Sequence, residues 1–128
     1  MRTRILWTVA LLAISGVSAA LSVIGASKGR DIPANVLAVF KKRCVRCHTG
    51  PKPPKGLSLI PGRAPSIIDA PSAEVPGLMI IDPNTPEASY LLKKVRREKG
   101  IAGKPMPPGK ALPADELQVL ETWILGLK

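Results

Sequence analysis

Hydrophobic residues recur with a helical period in three short stretches of the chain. In the first, from about Ala34 to Cys47, Val36 and Phe40 stand four residues apart and therefore share one face of a helix. Pro33 precedes this stretch, and proline is tolerated at a helix start because the first N–H groups have no partner within the helix. The pattern predicts an amphipathic helix.

The second stretch begins at Pro86 and stops at Gly100, a residue type common at helix ends. Thr85 is its expected N-terminal cap, and Glu87 lies near the positive end of the helix dipole. Its apolar side consists of Leu91, Leu92 and Val95. The sequence thus predicts a second amphipathic helix, with a basic C-terminal half.

The third stretch spans about Pro113 to Gly126, and the carboxylates of Asp115 and Glu116 favour its first turn. Its apolar stripe is formed by Leu117, Leu120, Trp123, Ile124 and Leu127. This pattern predicts a third amphipathic helix that packs against the core through that stripe.

Residues 49–86 contain repeated prolines and no strand pattern longer than a few residues, which predicts a long loop. Its apolar runs, at 57–60 and 78–81, are expected to turn inward, because so long a loop needs something to pack on. The predicted fold is therefore all-α, with about three short helices and long proline-rich loops.

The beginning of the chain is typical of a targeting segment. A short basic start is followed by Ile5–Ala26, which has no charge and as a helix would reach about 33 Å, enough to cross a bilayer. Small residues at 17–19 and 24–26 offer sites for cleavage by a signal peptidase. Residues 1–26 are thus predicted to be either a cleaved signal peptide or an uncleaved membrane anchor.

Both alternatives export the rest of the chain, because Arg2 and Arg4 stay on the cytoplasmic side. We expect a linker at residues 27–33 and one domain at residues 34–128. That domain is expected in the periplasm, either soluble after cleavage or held at the inner membrane by residues 5–26.

Composition narrows the possible functions. The chain has 128 residues, enough for one domain, and 19 Lys and Arg against 9 Asp and Glu give a formal net charge of +10. Its single histidine excludes protein-only sites that need two imidazoles, such as an HExxH zinc protease or a bis-histidine haem. Only 3% of the residues are aromatic, so side chains alone supply a thin core, and a cofactor is a natural way to complete it.

The motif Cys44-Val45-Arg46-Cys47-His48 carries the candidate chemistry. CxxCH is the attachment signature of c-type haem. Cysteines three residues apart on a helical turn project to the same side, so both sulfurs can bond to the vinyl groups on one porphyrin edge. His48 follows directly and can serve as the proximal iron ligand. We predict one covalently bound haem c.

Two other uses of these cysteines are weighed against haem attachment. In an exported protein Cys44 and Cys47 could form a disulfide, or act as the redox centre of a thiol-disulfide oxidoreductase. A redox CxxC usually follows a strand and starts a helix, whereas this one closes a predicted helix. A zinc site would need further cysteine or histidine ligands, which the sequence does not contain.

Met106 is the expected sixth ligand of the iron. It lies between Pro105 and Pro107, and prolines stiffen a loop that has to hold a weak ligand in place. Met79 is the other thioether outside the N-terminal segment, in a run typical of ordinary core. Ligation by histidine and methionine favours electron transfer, whereas an open sixth position would indicate a five-coordinate gas sensor.

The order of helix, CxxCH, long loop, helix, methionine loop and final helix resembles the class I c-type cytochromes, and more narrowly the planctomycete-type cytochrome c domain. The matching segments are Cys44–Gly50, Lys55–Leu59, Pro83 with Ser89–Leu92, Met106–Gly109, and Leu112 through Trp123–Ile124 with Gly126. Phe40 and Trp123 stand where class I members carry aromatic residues on the first and last helices. The resemblance implies a monohaem cytochrome c fold and an electron carrier rather than an enzyme.

Basic residues suggest the kind of partner. They cluster on the second predicted helix (Lys93, Lys94, Arg96, Arg97 and Lys99) and beside the motif (Lys41, Lys42, Arg43 and Arg46). Such a surface would steer either a redox protein with an acidic docking face or an anionic membrane surface. Candidates for pairing with the haem propionates are Arg43, Arg46 and Arg63. Nucleic-acid binding is not expected, because the chain is predicted to be exported and lacks interleaved aromatic residues.

Overall fold

The computed structural model describes residues 31–127. Within this range the regular secondary structure consists of helices alone. The three α-helices are α1 (Ala34–Arg43), α2 (Tyr90–Arg96) and α3 (Ala114–Leu125). Three short 3₁₀ turns occur at Pro54–Gly56, Ala64–Ile67 and Pro86–Ala88. No strand occurs in this part of the chain, which agrees with the predicted all-α class.

The predicted signal or anchor at residues 1–26 and most of the linker at residues 27–33 lie outside the described residues, as does Lys128. Among residues 31–127, no helix combines the length and the apolar character that crossing a bilayer requires.

Helix α1 ends at Arg43, and the prediction that it continues to Cys47 was wrong. The N–H groups of Cys44 and Val45 both donate to the carbonyl of Phe40, at 2.8 and 2.9 Å. One carbonyl thus serves two successive donors, so the regular spacing of helical hydrogen bonds is lost after Arg43. The chain continues from there as a series of tight turns.

Helix α2 is shorter than predicted at both ends. Pro86–Ala88 forms a separate 3₁₀ turn, and Ser89, at φ −54° and ψ 122°, leaves the helical region before α2 begins. The Thr85 side chain makes no capping hydrogen bond, so its predicted role was wrong. At the other end Arg97 adopts a left-handed conformation, with φ 60°, and ends the helix before Gly100.

Helix α3 matches its predicted bounds, with Pro113 before it and Gly126 after it. Its stripe packs on α1, where the rings of Phe40 and Trp123 meet edge to face, with centroids 6.0 Å apart and planes at 79°. Such an aromatic pair contributes about 0.5–1.5 kcal/mol beyond the area that it buries. This contact fixes the end of α1 relative to α3.

The long loop supplies the other side of the core. Leu59 and Ile81 are almost completely buried, so the two apolar runs of the loop turn inward as predicted. Isolated β-bridges join Ile68 to Ile81 and Pro71 to Met79. The loop therefore folds back on itself and encloses the core without forming a sheet.

One carboxylate ties α1 to α3. Glu116 accepts hydrogen bonds from the Arg43 guanidinium at 2.5 and 2.9 Å and from the Lys42 ammonium at 2.7 Å. These hydrogen bonds, and the two positive charges that make them, lower the pKa of Glu116 from 4.5 to about 2. The ionised side chain thereby links the C-terminal end of α1 to the first turn of α3.

Replacing Glu116 by Gln should make the thermal stability of the protein change less with pH in the acid range. The pKa of Glu116 is depressed in the folded protein, so the carboxylate stabilises the fold fully above about pH 4.5 and loses this effect as the pH falls towards about 2. The thermal midpoint of Glu116→Gln should lie below that of the wild type near neutral pH. The two midpoints should converge between these pH values.

Asp115→Asn is the matched control. Asp115 lies in the same first turn of α3, but it makes no ion pair with another described residue. Removing its charge changes the interaction with the helix dipole by a similar amount. Equal pH profiles for the two variants would contradict the role assigned to the Glu116 ion pairs.

Candidate functional site

The turns after α1 contain Cys44, Cys47 and His48. The N–H groups of Cys47 and His48 both donate to the carbonyl of Cys44, at 3.1 and 2.9 Å. The thiols are not joined to each other; Cys44 is half-buried and Cys47 is exposed. All three side chains line the same cavity.

His48 is buried and held by the loop that follows it. Its ring Nδ1–H donates to the carbonyl of Leu57 at 3.1 Å, and the backbone N–H of Leu59 donates to the His48 carbonyl at 2.9 Å. The loop directly after the motif thus supplies the carbonyl that holds the ring. The bond fixes the tautomer and leaves Nε2 as the ring nitrogen that can bind a metal.

The cavity has a volume of about 290 Å³ and a largely apolar wall. Helices α1, α2 and α3 contribute Phe40, Leu91, Val95 and Leu120, and the loops contribute Leu57, Leu59, Ile80, Pro54, Pro107 and Pro108. The exposed Cys47 and Lys55 stand where this wall meets solvent. Such a lining suits an apolar group whose edge remains accessible.

Met106 reaches this cavity from the loop between α2 and α3. Its backbone N–H donates to the carbonyl of Lys94 at 3.1 Å, and the Met106–Pro107 peptide bond is cis. Met79, by contrast, is half-buried beside Pro71 and does not line the cavity. The structure therefore brings together all four predicted site residues, from two separate parts of the sequence.

Two residues donate hydrogen bonds to the loop that carries Met106, and the sequence did not predict this role. Lys94 and Arg97 were assigned to a basic surface, but the Lys94 side chain is only 6% exposed. Its ammonium donates to backbone carbonyls before Met106, and the Arg97 guanidinium donates to carbonyls after it. Helical spacing was the available signal for Lys94, because it follows Leu91 by three residues and therefore lies on the buried face of α2.

The rest of the basic cluster on α2 is also largely engaged within the protein. Lys93 pairs with Glu98 at 3.2 Å. Arg96 pairs with Glu87 and Glu121, at 2.7 Å each. Lys99 is exposed and makes no ion pair within residues 31–127. The free positive charge of this helix is therefore smaller than the sequence suggests.

The predicted propionate partners differ in position. Arg43 lines the cavity, but its guanidinium is already bound to Glu116. Arg46 and Arg63 are exposed and do not line it. Lys55, which the sequence analysis did not single out, contributes to the wall from a left-handed backbone conformation with φ 56°.

The surroundings of Cys44 disfavour thiol chemistry. Burial, with smaller contributions from Glu116 and Cys47, raises the pKa of the Cys44 thiol to about 11. A reactive cysteine needs a lowered pKa, because the thiolate is the nucleophile. Among residues 31–127, no three His, Cys, Asp or Glu side chains converge as a metal cluster. Two unjoined thiols in the wall of one apolar cavity are a donor set that fits attachment of an organic group through two thioethers.

Comparison with models of protein families, with curated proteins and with solved structures found no match for this chain. The functional interpretation therefore rests on the residues themselves: two free thiols, one oriented imidazole and one thioether around a single apolar cavity.

Proposed function

We propose that this chain is an exported c-type cytochrome that carries single electrons on one covalently attached haem c. Its domain is then an all-α monohaem cytochrome c fold of the class I type, closest to the planctomycete-type domain. One observation carries the proposal: Cys44, Cys47, His48 and Met106 line one apolar cavity although the methionine lies on a different loop from the other three.

Each of these residues has a separate role in the proposal. Cys44 and Cys47 would hold the haem through thioethers that prevent its loss, and His48 Nε2 and the Met106 sulfur would bind its iron. The bound haem supplies a one-electron couple of the iron, whose potential this ligand pair raises. The apolar wall excludes water from the group, and the Leu57 carbonyl keeps the imidazole in the required tautomer.

The thiol-disulfide oxidoreductase is the weaker alternative. It needs an accessible cysteine with a lowered pKa, whereas burial and a nearby carboxylate raise the pKa of Cys44. The high pKa is compatible with haem attachment, in which the sulfur becomes a neutral thioether. A five-coordinate gas sensor is the other alternative, and the position of Met106 in the cavity wall argues against it.

The proposed location of the domain is the periplasm. Residues 1–26 would direct its export as a signal peptide, or residues 5–26 would hold it at the inner membrane as an anchor. The proposed partner is a redox protein with an acidic docking face. Support comes from exposed cations that lie within eight residues of Cys47 in the sequence and would attract such a face. These cations are Lys41, Arg46, Lys52 and Lys55.

Intact mass and visible spectrum test the cofactor directly. Protein produced with haem-attachment machinery should exceed its polypeptide mass by one haem, and its colour should stay with the chain after acid-acetone extraction. Cys44→Ala/Cys47→Ala should release all of its haem in the same extraction, because both thioethers are gone. A colourless wild-type chain with two titratable thiols would contradict the proposal and favour the oxidoreductase.

Met106→Ala tests the sixth ligand, and Met79→Ala is its matched control. The first variant should lose the ferric thioether-to-iron absorption band and lower the midpoint potential by more than about 60 mV, a tenfold change in a one-electron equilibrium. The second should keep both properties, because Met79 does not line the cavity. An unchanged Met106→Ala spectrum, with rapid carbon monoxide binding by the wild type, would favour the gas sensor.

A further inference from the structure

The loop that carries Met106 depends on hydrogen bonds from another element. Residues 100–109 include prolines at 105, 107 and 108, which have no backbone N–H to donate, so the loop's carbonyls need partners elsewhere. Two cations are these partners: Lys94 in α2, and Arg97 directly after it. Lys94 serves the part of the loop before Met106, and Arg97 serves the part after it.

The Lys94 ammonium makes three short polar contacts in the interior. It donates to the carbonyls of Ala102 and Lys104, at 2.6 and 2.9 Å, and forms an ion pair with Glu74 Oε2 at 2.6 Å. A buried ammonium is unfavourable unless it is paired and hydrogen-bonded, and these contacts supply an opposite charge and two acceptors. Lys94 and Glu74 also line the cavity, so the contact lies at the candidate site itself.

Gly103 shows how closely the loop crosses this ion pair. With φ 64° it adopts a conformation that favours glycine, and a Cβ there would lie 3.0 Å from Glu74 Oε1 and 3.7 Å from Lys94 Nζ. The loop therefore lies in close contact with the ion pair, and a side chain at Gly103 would push the Glu74 carboxylate away by a few tenths of an ångström.

Arg97 holds the other half of the loop from a strained position. Its backbone is left-handed, with φ 60°, a conformation in which glycine is favoured over any residue with a side chain. From there its guanidinium donates to the carbonyls of Pro107 and Gly109, at 3.2 and 2.8 Å. Hydrogen bonds from a charged donor are among the stronger ones in proteins.

We propose that Lys94 and Arg97 are positioning residues that clamp the Met106 loop over the cavity and keep the sixth position closed to external ligands. This inference rests on the proposed haem function, since Met106 is held for the iron. The clamp acts on both sides of the ligand, because Lys94 binds before Met106 and Arg97 after it. It would make the protein an electron carrier that does not bind gases readily.

Arg97→Gly separates the clamp from overall stability. Glycine relieves the backbone strain, so the thermal midpoint of the haem-loaded variant should equal or exceed that of the wild type. Carbon monoxide should nevertheless bind the ferrous variant about tenfold faster, because the loop opens more often once these hydrogen bonds are lost. A purely structural role would lower stability and leave ligand access unchanged.

Lys94→Leu is the second variant, and Lys93→Leu is its matched control. Lys93 is the preceding residue of α2, but it pairs with Glu98 and does not touch the loop. Lys94→Leu should weaken the ferric thioether band and speed amide hydrogen exchange at Met106, whose N–H donates to the backbone carbonyl of residue 94. Lys93→Leu should resemble the wild type in both measurements.

Wild-type band intensity and carbon monoxide rate in both Arg97→Gly and Lys94→Leu would overturn the clamp, as would equal effects from Lys93→Leu. Failure of the proposed function has a different signature, because the wild type itself would then carry no covalent haem. A wild type that carries haem and shows the thioether band, beside unchanged variants, would refute only the clamp.

Discussion

The packing of α1 against α3 is the constraint on which the candidate site depends. The edge-to-face contact of Phe40 with Trp123 and the bonds of Glu116 to Lys42 and Arg43 fix the end of α1. The turns that present the two thiols and the imidazole start there, so their direction follows from this contact. A rotation of α1 would move all three side chains together.

The second constraint is that long loops, and not helices, complete the cavity. Leu57 orients the imidazole through its carbonyl, and Met106 comes from a loop with few backbone donors. In both cases a backbone group is held by a partner far along the chain or on another element. Hydrogen bonds from other parts of the protein therefore hold the irregular segments of the site in place.

Much of the fold could be predicted from local signals, and the differences have physical causes. The bounds of α3 were accurate because Pro113 and Gly126 mark both ends. Helix α1 was predicted too long because its helical hydrogen-bond pattern ends where Cys44 and Val45 both donate to the carbonyl of Phe40. The pattern of hydrophobic and polar residues contains no signal for this. Helix α2 was predicted too long because the backbone turns at Ser89 and Arg97 are set by tertiary contacts.

Some residues of the candidate site could be predicted from the sequence, and others could not. Spacing alone identified Cys44, Cys47 and His48, and the flanking prolines distinguished Met106 from Met79. The role of Lys94 was missed because charged residues are normally solvent-exposed, and only its register with the apolar side of α2 indicated burial. Which carbonyls it binds depends on where a distant loop lies, which no local pattern contains.

An experimental structure of the native protein, with anomalous diffraction recorded at the iron absorption edge, tests the central claim most directly. The proposed function predicts a single iron peak between His48 Nε2 and the Met106 sulfur, with continuous density from the porphyrin to both cysteines. A Cys44–Cys47 disulfide with no iron peak in the cavity would contradict it.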